Sequence, residues 1–196
     1  MKINLKEVKS CIFGIQGSGK TFLTENFLIK NFKHPLVYRL HKEDFNNTPK
    51  SVMIYEPKSA SIDELNNFCP HVKELAQKGE IDAFIIDEAD FFFPNNSITP
   101  ENITDLVINH RHYGLALIFI SRRPQDIQTR VVESSEHMFI FKIEGENVER
   151  KFKAIHPKII ELLSQLKKDE HNFIYKKLGE GPIIHNRISL KSKGER

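Results

Sequence analysis

The chain has 196 residues, 39% hydrophobic and 28% charged, which suits one soluble domain with a full hydrophobic core. The formal net charge, 29 − 26 = +3, permits contact with nucleic acid without arguing for it. Two cysteines exclude a disulfide framework and a cysteine zinc site, the longest strong apolar run (115–120) is too short to span a bilayer, and the first residues lack the apolar stretch of a signal peptide.

The first predicted strand covers 10–15 and places Cys11 as a small buried residue. It runs into Gly14-Ile15-Gln16-Gly17-Ser18-Gly19-Lys20-Thr21, the pattern G-x-x-x-x-G-K-[ST], and a helical pattern follows to about Phe32. Strand, glycine-rich loop and helix together make a phosphate-binding loop: backbone N–H groups turn inward, and the helix start adds its partial positive charge. The expected nucleotide contacts are Gly14, Gln16, Gly17, Ser18, Gly19, Lys20, Thr21 and Phe22. Lys20 would reach the β- and γ-phosphates of ATP, and the Thr21 hydroxyl would bind Mg²⁺.

His34-Pro35 ends that helix, and residues 36–40 read as the second strand. A polar loop covers 41–50, and residues 52–55 form a short strand added at an edge. Ser61 and Glu64 make a capping box that opens a helix through Leu65, Phe68, Val72, Leu75 and Ala76, closed by Gly79. Residues 81–86 are a buried strand interrupted by Asp82, and Asp87-Glu88 stands at its tip. Beside a phosphate loop, Asp87 is expected to hold Mg²⁺ and Glu88 to polarise the attacking water, while Asp90 is read as a solvated or structural acid.

Phe91-Phe92-Phe93 reads as core or subunit packing. Thr99 is expected to cap a helix with Pro100 at its first position, running through His110 and ended by Gly114. Residues 115–120 form the next strand, with Ser121-Arg122-Arg123-Pro124 at its exit. A strand at 137–143, a turn at Gly145, a short helix at 157–166 and a hairpin from 173–175 and 182–184 complete the domain. The domain is expected to cover 1–186, with 187–196 a basic tail. The nine histidines show no metal-site spacing. Strands alternating with helices predict a three-layer α/β fold with a central, mostly parallel sheet. The strand ending near Ser121 is expected between the loop strand and the acidic strand, the arrangement of additional-strand, catalytic-glutamate P-loop NTPases.

Residues 109–127, Asn-His-Arg-His-Tyr-Gly, an apolar strand, then Ser-Arg-Arg-Pro-Gln-Asp-Ile, resemble the segment after the acidic strand in the FtsK–HerA superfamily. The resemblance covers about 8–145 and is nearest to the compact genome-packaging ATPases of tailless icosahedral viruses. Zonula-occludens-toxin-like proteins of filamentous phages are related but typically carry a membrane helix, which this sequence does not show. The resemblance implies an ATP-hydrolysing motor that moves double-stranded DNA without sequence preference. It implies a homo-oligomeric ring, a pentamer or hexamer, that works in the host cytoplasm with capsid vertex proteins as partners. Lys20 and Thr21 match its phosphate loop, and Asp87 and Glu88 its metal and water-activating acids. Arg111 matches the arginine offered to a neighbour's γ-phosphate. Ser121, Arg122 and Arg123 stand where a γ-phosphate sensor or DNA contact is expected, and Arg122 replaces the usual glutamine. Arg123, Arg130 and the tail are further DNA-contact candidates. Two alternatives stand beside this: a coupling or assembly ATPase for phage export or conjugation, and a nucleotide-dependent switch.

Overall fold

Short runs apolar on both faces must become strands covered by helices on both sides, and they build the centre of the molecule. The structure is a computed structural model that describes residues 3–95 and 98–186. The basic stretch expected at 187–196 lies outside the described residues.

The strands are β1 (Lys9–Phe13), β2 (Pro35–Tyr38), β3 (Met53–Tyr55), β4 (Ala83–Ile86), β5 (Ala116–Ser121), β6 (His137–Ile140), β7 (Phe173–Lys177) and β8 (Ile183–His185). They form one sheet in the order β3-β2-β4-β5-β1-β6-β7-β8. Pairings from β3 to β6 are parallel, and β7 and β8 close the sheet as an antiparallel hairpin. β5 lies between β1 and β4, as the additional-strand reading requires. Alternate residues face opposite layers: Cys11 and Phe13 join one core, Ile12 the other. Burial pushes the Cys11 thiol up to about 12, which fits an inert packing residue.

The helices are α1 (Lys20–Leu23), α2 (Ile62–Gln77), α3 (Glu101–Asn109), α4 (Thr129–Glu133), α5 (Glu146–Ile155) and α6 (Lys158–Leu163). α1 continues as a π turn, Thr24–Leu28, and a 3₁₀ turn, Ile29–Asn31. Side chains that bond back to the preceding turn accompany this widening: Thr24 Oγ1 donates to the Lys20 carbonyl (2.9 Å) and Asn26 Nδ2 to the Phe22 carbonyl (3.1 Å). Asp82 accepts the backbone N–H groups of Lys33 and His34 at 2.7 and 2.9 Å, which explains a carboxylate at the start of a buried strand.

Pro70 sits inside α2 and cannot donate to the Asn66 carbonyl. Asn102 Nδ2 supplies that bond from α3 (3.2 Å), while Asn66 Oδ1 accepts the N–H of Asn102 (3.1 Å) and Ile103 (3.4 Å). Asn66 therefore satisfies the start of α3, and the expected cap, Thr99, does not. Pro100 occupies the cap position, and the Thr99 carbonyl accepts from Thr104 Oγ1 instead. α5 also departs from expectation. Gly145, read as a turn, is its N-cap, and Phe152 packs edge-on against Phe13 with ring centroids 5.9 Å apart. Of the aromatic triplet, Phe92 and Phe93 are buried and Phe91 is half exposed.

Candidate active site

Register brings the expected residues together. In the parallel ladder Phe13 lies opposite Ser121, and Ile86 opposite Phe119. The residues that leave β1, β4 and β5 therefore emerge at one carboxyl edge, where open α/β sheets bind ligands. These are Gly14 onward, Asp87-Glu88 and Arg122.

Two glycines of the loop have a physical reason to be glycine. A Cβ on Gly14 would come within 2.6 Å of Ser18 Oγ and 2.7 Å of Phe141 Cβ, so the loop could not fold back on itself. Gly19 takes φ 110 to start α1, a conformation costly for other residues. The Lys20 ammonium donates to the carbonyls of Gly14 (2.6 Å) and Ile15 (3.1 Å). Burial lowers its pKa against the pull of Glu88 and Asp87.

Asp87 is 4% exposed. Burial, with help from Asp44 and Glu88, pushes its carboxyl up to about 7. Glu88 adopts the left-handed conformation, φ 47 and ψ 48, which turns its side chain toward Arg122. Lys20, Thr21, Phe22, Asp87, Glu88 and Arg122 line one cavity of about 720 Å³ with Gln16, Gly17 and Gly19. Ser18 is buried beneath the loop, and its Oγ has no hydrogen-bond partner in the protein.

Other walls of this cavity were not foreseen. His41, Glu43 and Asp44 come from the loop after β2. Arg39 fixes that loop by donating to the Asp44 carbonyl (2.7 Å) and Asn46 Oδ1 (2.9 Å) and pairing with Glu56. Phe141, His171 and Phe173 form the opposite wall, and His171 Nδ1 lies 3.1 Å from the Ser18 carbonyl. The carboxyl-edge rule could have flagged Phe141 and the loop after β2. Nothing local marks His171, which is 153 positions from Ser18 in sequence.

The remaining candidates lie elsewhere. Ser121 Oγ donates to the Arg123 carbonyl at 3.1 Å, shaping the strand exit, and the Arg123 side chain is exposed. Arg111 precedes β5, at the edge of the sheet opposite the loop, exposed and ion-paired with Glu136. β5 alone separates it from that edge by about 17 Å at ~3.3 Å per residue. Within its own chain Arg111 therefore does not join this site. Arg130 is exposed on α4.

The sheet order, the loop and the acid pair define a P-loop ATPase of the additional-strand type. The chain belongs to the Zonular occludens toxin (Zot) family, whose model matches residues 12–173. Among curated proteins no sequence matches. The fold is similar to that of B204, the DNA-packaging ATPase from Sulfolobus turreted icosahedral virus, with TM-score 0.82 at 19% identity over 95% of this chain and 100% of that one. It is also similar to the genome packaging NTPase B204 from Sulfolobus turreted icosahedral virus 2 in complex with AMPPCP (TM-score 0.80, 20% identity, 93% and 98% covered). The N-terminal domain of zonular occludens toxin from Neisseria meningitidis is similar at TM-score 0.57 and 13% identity, with 94% and 95% covered. At these identities the likeness is one of fold. No helix of the described residues is long and apolar enough to cross a membrane.

Proposed function

We propose that the chain is an ATP-driven motor that translocates double-stranded DNA, serving genome packaging into a capsid. The observation that carries the hydrolytic part is the convergence of Lys20, Thr21, Asp87 and Glu88 at one carboxyl edge. The packaging part is supported by fold likeness to the viral packaging ATPase B204.

The residues fit Mg²⁺ with ATP. Asp87 is a buried carboxylate whose pKa is raised by burial and by the neighbouring Asp44 and Glu88, a concentration of negative charge that a cation would offset, and Thr21 is a second oxygen donor at the same cavity. Among the described residues no group of three or more His, Cys, Asp or Glu could hold a metal by itself, so phosphate oxygens would complete the shell. When bound, Mg²⁺ neutralises charge on the β- and γ-phosphates. The protein's own share is distinct. The loop N–H groups and Lys20 orient the phosphates, and Glu88 orients the attacking water and accepts its proton. Phe22 and His171, half-buried at the cavity wall, suit contact with the base.

Arg111 is exposed and remote from its own phosphate loop, which suits an arginine offered to the neighbouring subunit of a ring. Duplex DNA would be held mainly through its phosphates, hence without sequence preference. Capsid vertex proteins would be its partners, in the host cytoplasm. The Zot family match favours a second reading, an ATPase that drives phage export or assembly. ATPase rates with duplex, single-stranded and no DNA at low salt separate the two. Stimulation by duplex of any sequence supports packaging. An assembled protein indifferent to all DNA rules it out.

A further inference from the structure

A second segment, far along the chain, lies against the phosphate loop. Residues 167–172 form the turn between α6 and β7 and meet the loop at two points. The first is His171, whose Nδ1 lies 3.1 Å from the Ser18 carbonyl. A carbonyl only accepts, so Nδ1 carries the proton and donates. His171 makes this bond from the left-handed region, φ 49, a conformation that is costly for a residue other than glycine. The second point is Lys168, which reaches the tip of the loop. A methyl group placed on Gly17 would sit 3.5 Å from Lys168 Cε and 3.8 Å from its Nζ. The turn is also tied within itself. Asn172 Oδ1 accepts the N–H of Lys167 (3.2 Å), and the Lys167 ammonium pairs with Glu170 (2.7 Å). That pair engages Lys167 and leaves Lys168 exposed, with no hydrogen bond or ion pair to its ammonium among the described residues. Lys20, by contrast, is turned inward on the Gly14 and Ile15 carbonyls. The loop thus has one lysine within it and a second, uncommitted one outside it at Gly17.

We propose that Lys168 is a second phosphate-binding lysine, held over the loop by the His171 bond and directed at the β-phosphate of the nucleotide. The backbone around Gly17 is the part of such a loop that cradles the inner phosphates. An ammonium at Gly17, on a flexible four-carbon stem with three donors, reaches an oxygen bound there by a small swing of its end. His171 keeps the turn, and so the lysine, in place. The inference rests on the ATPase reading above.

The test is nucleotide affinity by calorimetry with Mg-ATPγS, Mg-ADP and AMP. Lys168→Ala should weaken both ATPγS and ADP by about five- to tenfold, the loss of one exposed charge-assisted hydrogen bond, and AMP by less than about twofold. Lys168→Arg, which keeps the charge, should retain most of the affinity. Lys167→Ala removes the same charge one position earlier and should leave ADP within about twofold. His171→Ala should weaken ADP by itself, and in that background Lys168→Ala should cost no more than about twofold further. Unchanged ADP affinity in Lys168→Ala overturns the proposal. So does an equal loss for AMP, which lacks the β-phosphate, or an equal loss in Lys167→Ala, which would mean a general effect of charge. Fully additive losses would overturn the part given to His171. Wild-type protein that binds no nucleotide at all would instead overturn the ATPase reading.

Discussion

Asp87 is buried among other acids, Asp44 and Glu88, and that environment disfavours its charge. Its folded pKa, about 7, lies above the unfolded value of 3.8, so the folded state holds the proton more tightly. Stability is thus lost as pH rises from about 4 to 7 and stays low above that. Asp87→Asn removes the titration. In thermal melts without nucleotide its Tm should exceed wild type by several degrees at pH 8, with the gap closing toward pH 4. A gap independent of pH would contradict this. With Mg-ATP the order should reverse, because the wild type alone can use the cation. Lys20→Ala should abolish turnover by removing the phosphate contact. Glu88→Gln should bind ATP yet nearly stop hydrolysis, since an amide cannot accept the proton, and a wild-type rate in that variant would end its assignment. Residue spacing made these positions legible, because a phosphate loop and a strand-tip acid pair are local patterns. The ion pair of Glu88 with Arg122 was not, because it depends on a backbone twist at Glu88 that no neighbouring residue announces.

At the scale of elements, what was misread had its cause in partners far along the chain. α5 carries few buried apolar residues, Val148 and Phe152, among charged ones, too narrow a stripe to stand out from a solvated loop. The start of α3 reads as threonine-capped, yet its N–H groups bond Asn66, 36 positions earlier in sequence. Asn66→Ala should therefore cost about 1–2 kcal/mol in chemical denaturation, the usual effect of a lost cap. Unchanged stability would show that water satisfies the start of α3 equally well. The strands were legible because fully buried parallel strands are near-continuous apolar runs.

At the scale of the molecule, the phosphate loop and Arg111 lie at opposite ends of β5, and in the proposed ring Arg111 would serve a neighbouring subunit's site. Arg111→Ala should keep nucleotide affinity and lose hydrolysis. Mixed with Glu88→Gln it should recover part of the activity, through interfaces that pair an intact arginine with an intact glutamate. No recovery at any ratio, despite co-assembly, would return Arg111 to its ion pair with Glu136. The net charge of +3 is too small for one chain to hold DNA firmly, so binding should depend on assembly. It should weaken with salt at a slope of roughly −0.9 per phosphate contacted. Movement along duplex is tested most directly by displacement of a triplex-forming strand from duplex DNA. The assembled protein should release the third strand with Mg-ATP, irrespective of flanking sequence. Neither Mg-ATPγS nor the Glu88→Gln protein should do so. Active ATP hydrolysis by an assembled, DNA-bound protein that leaves the triplex intact would contradict the account.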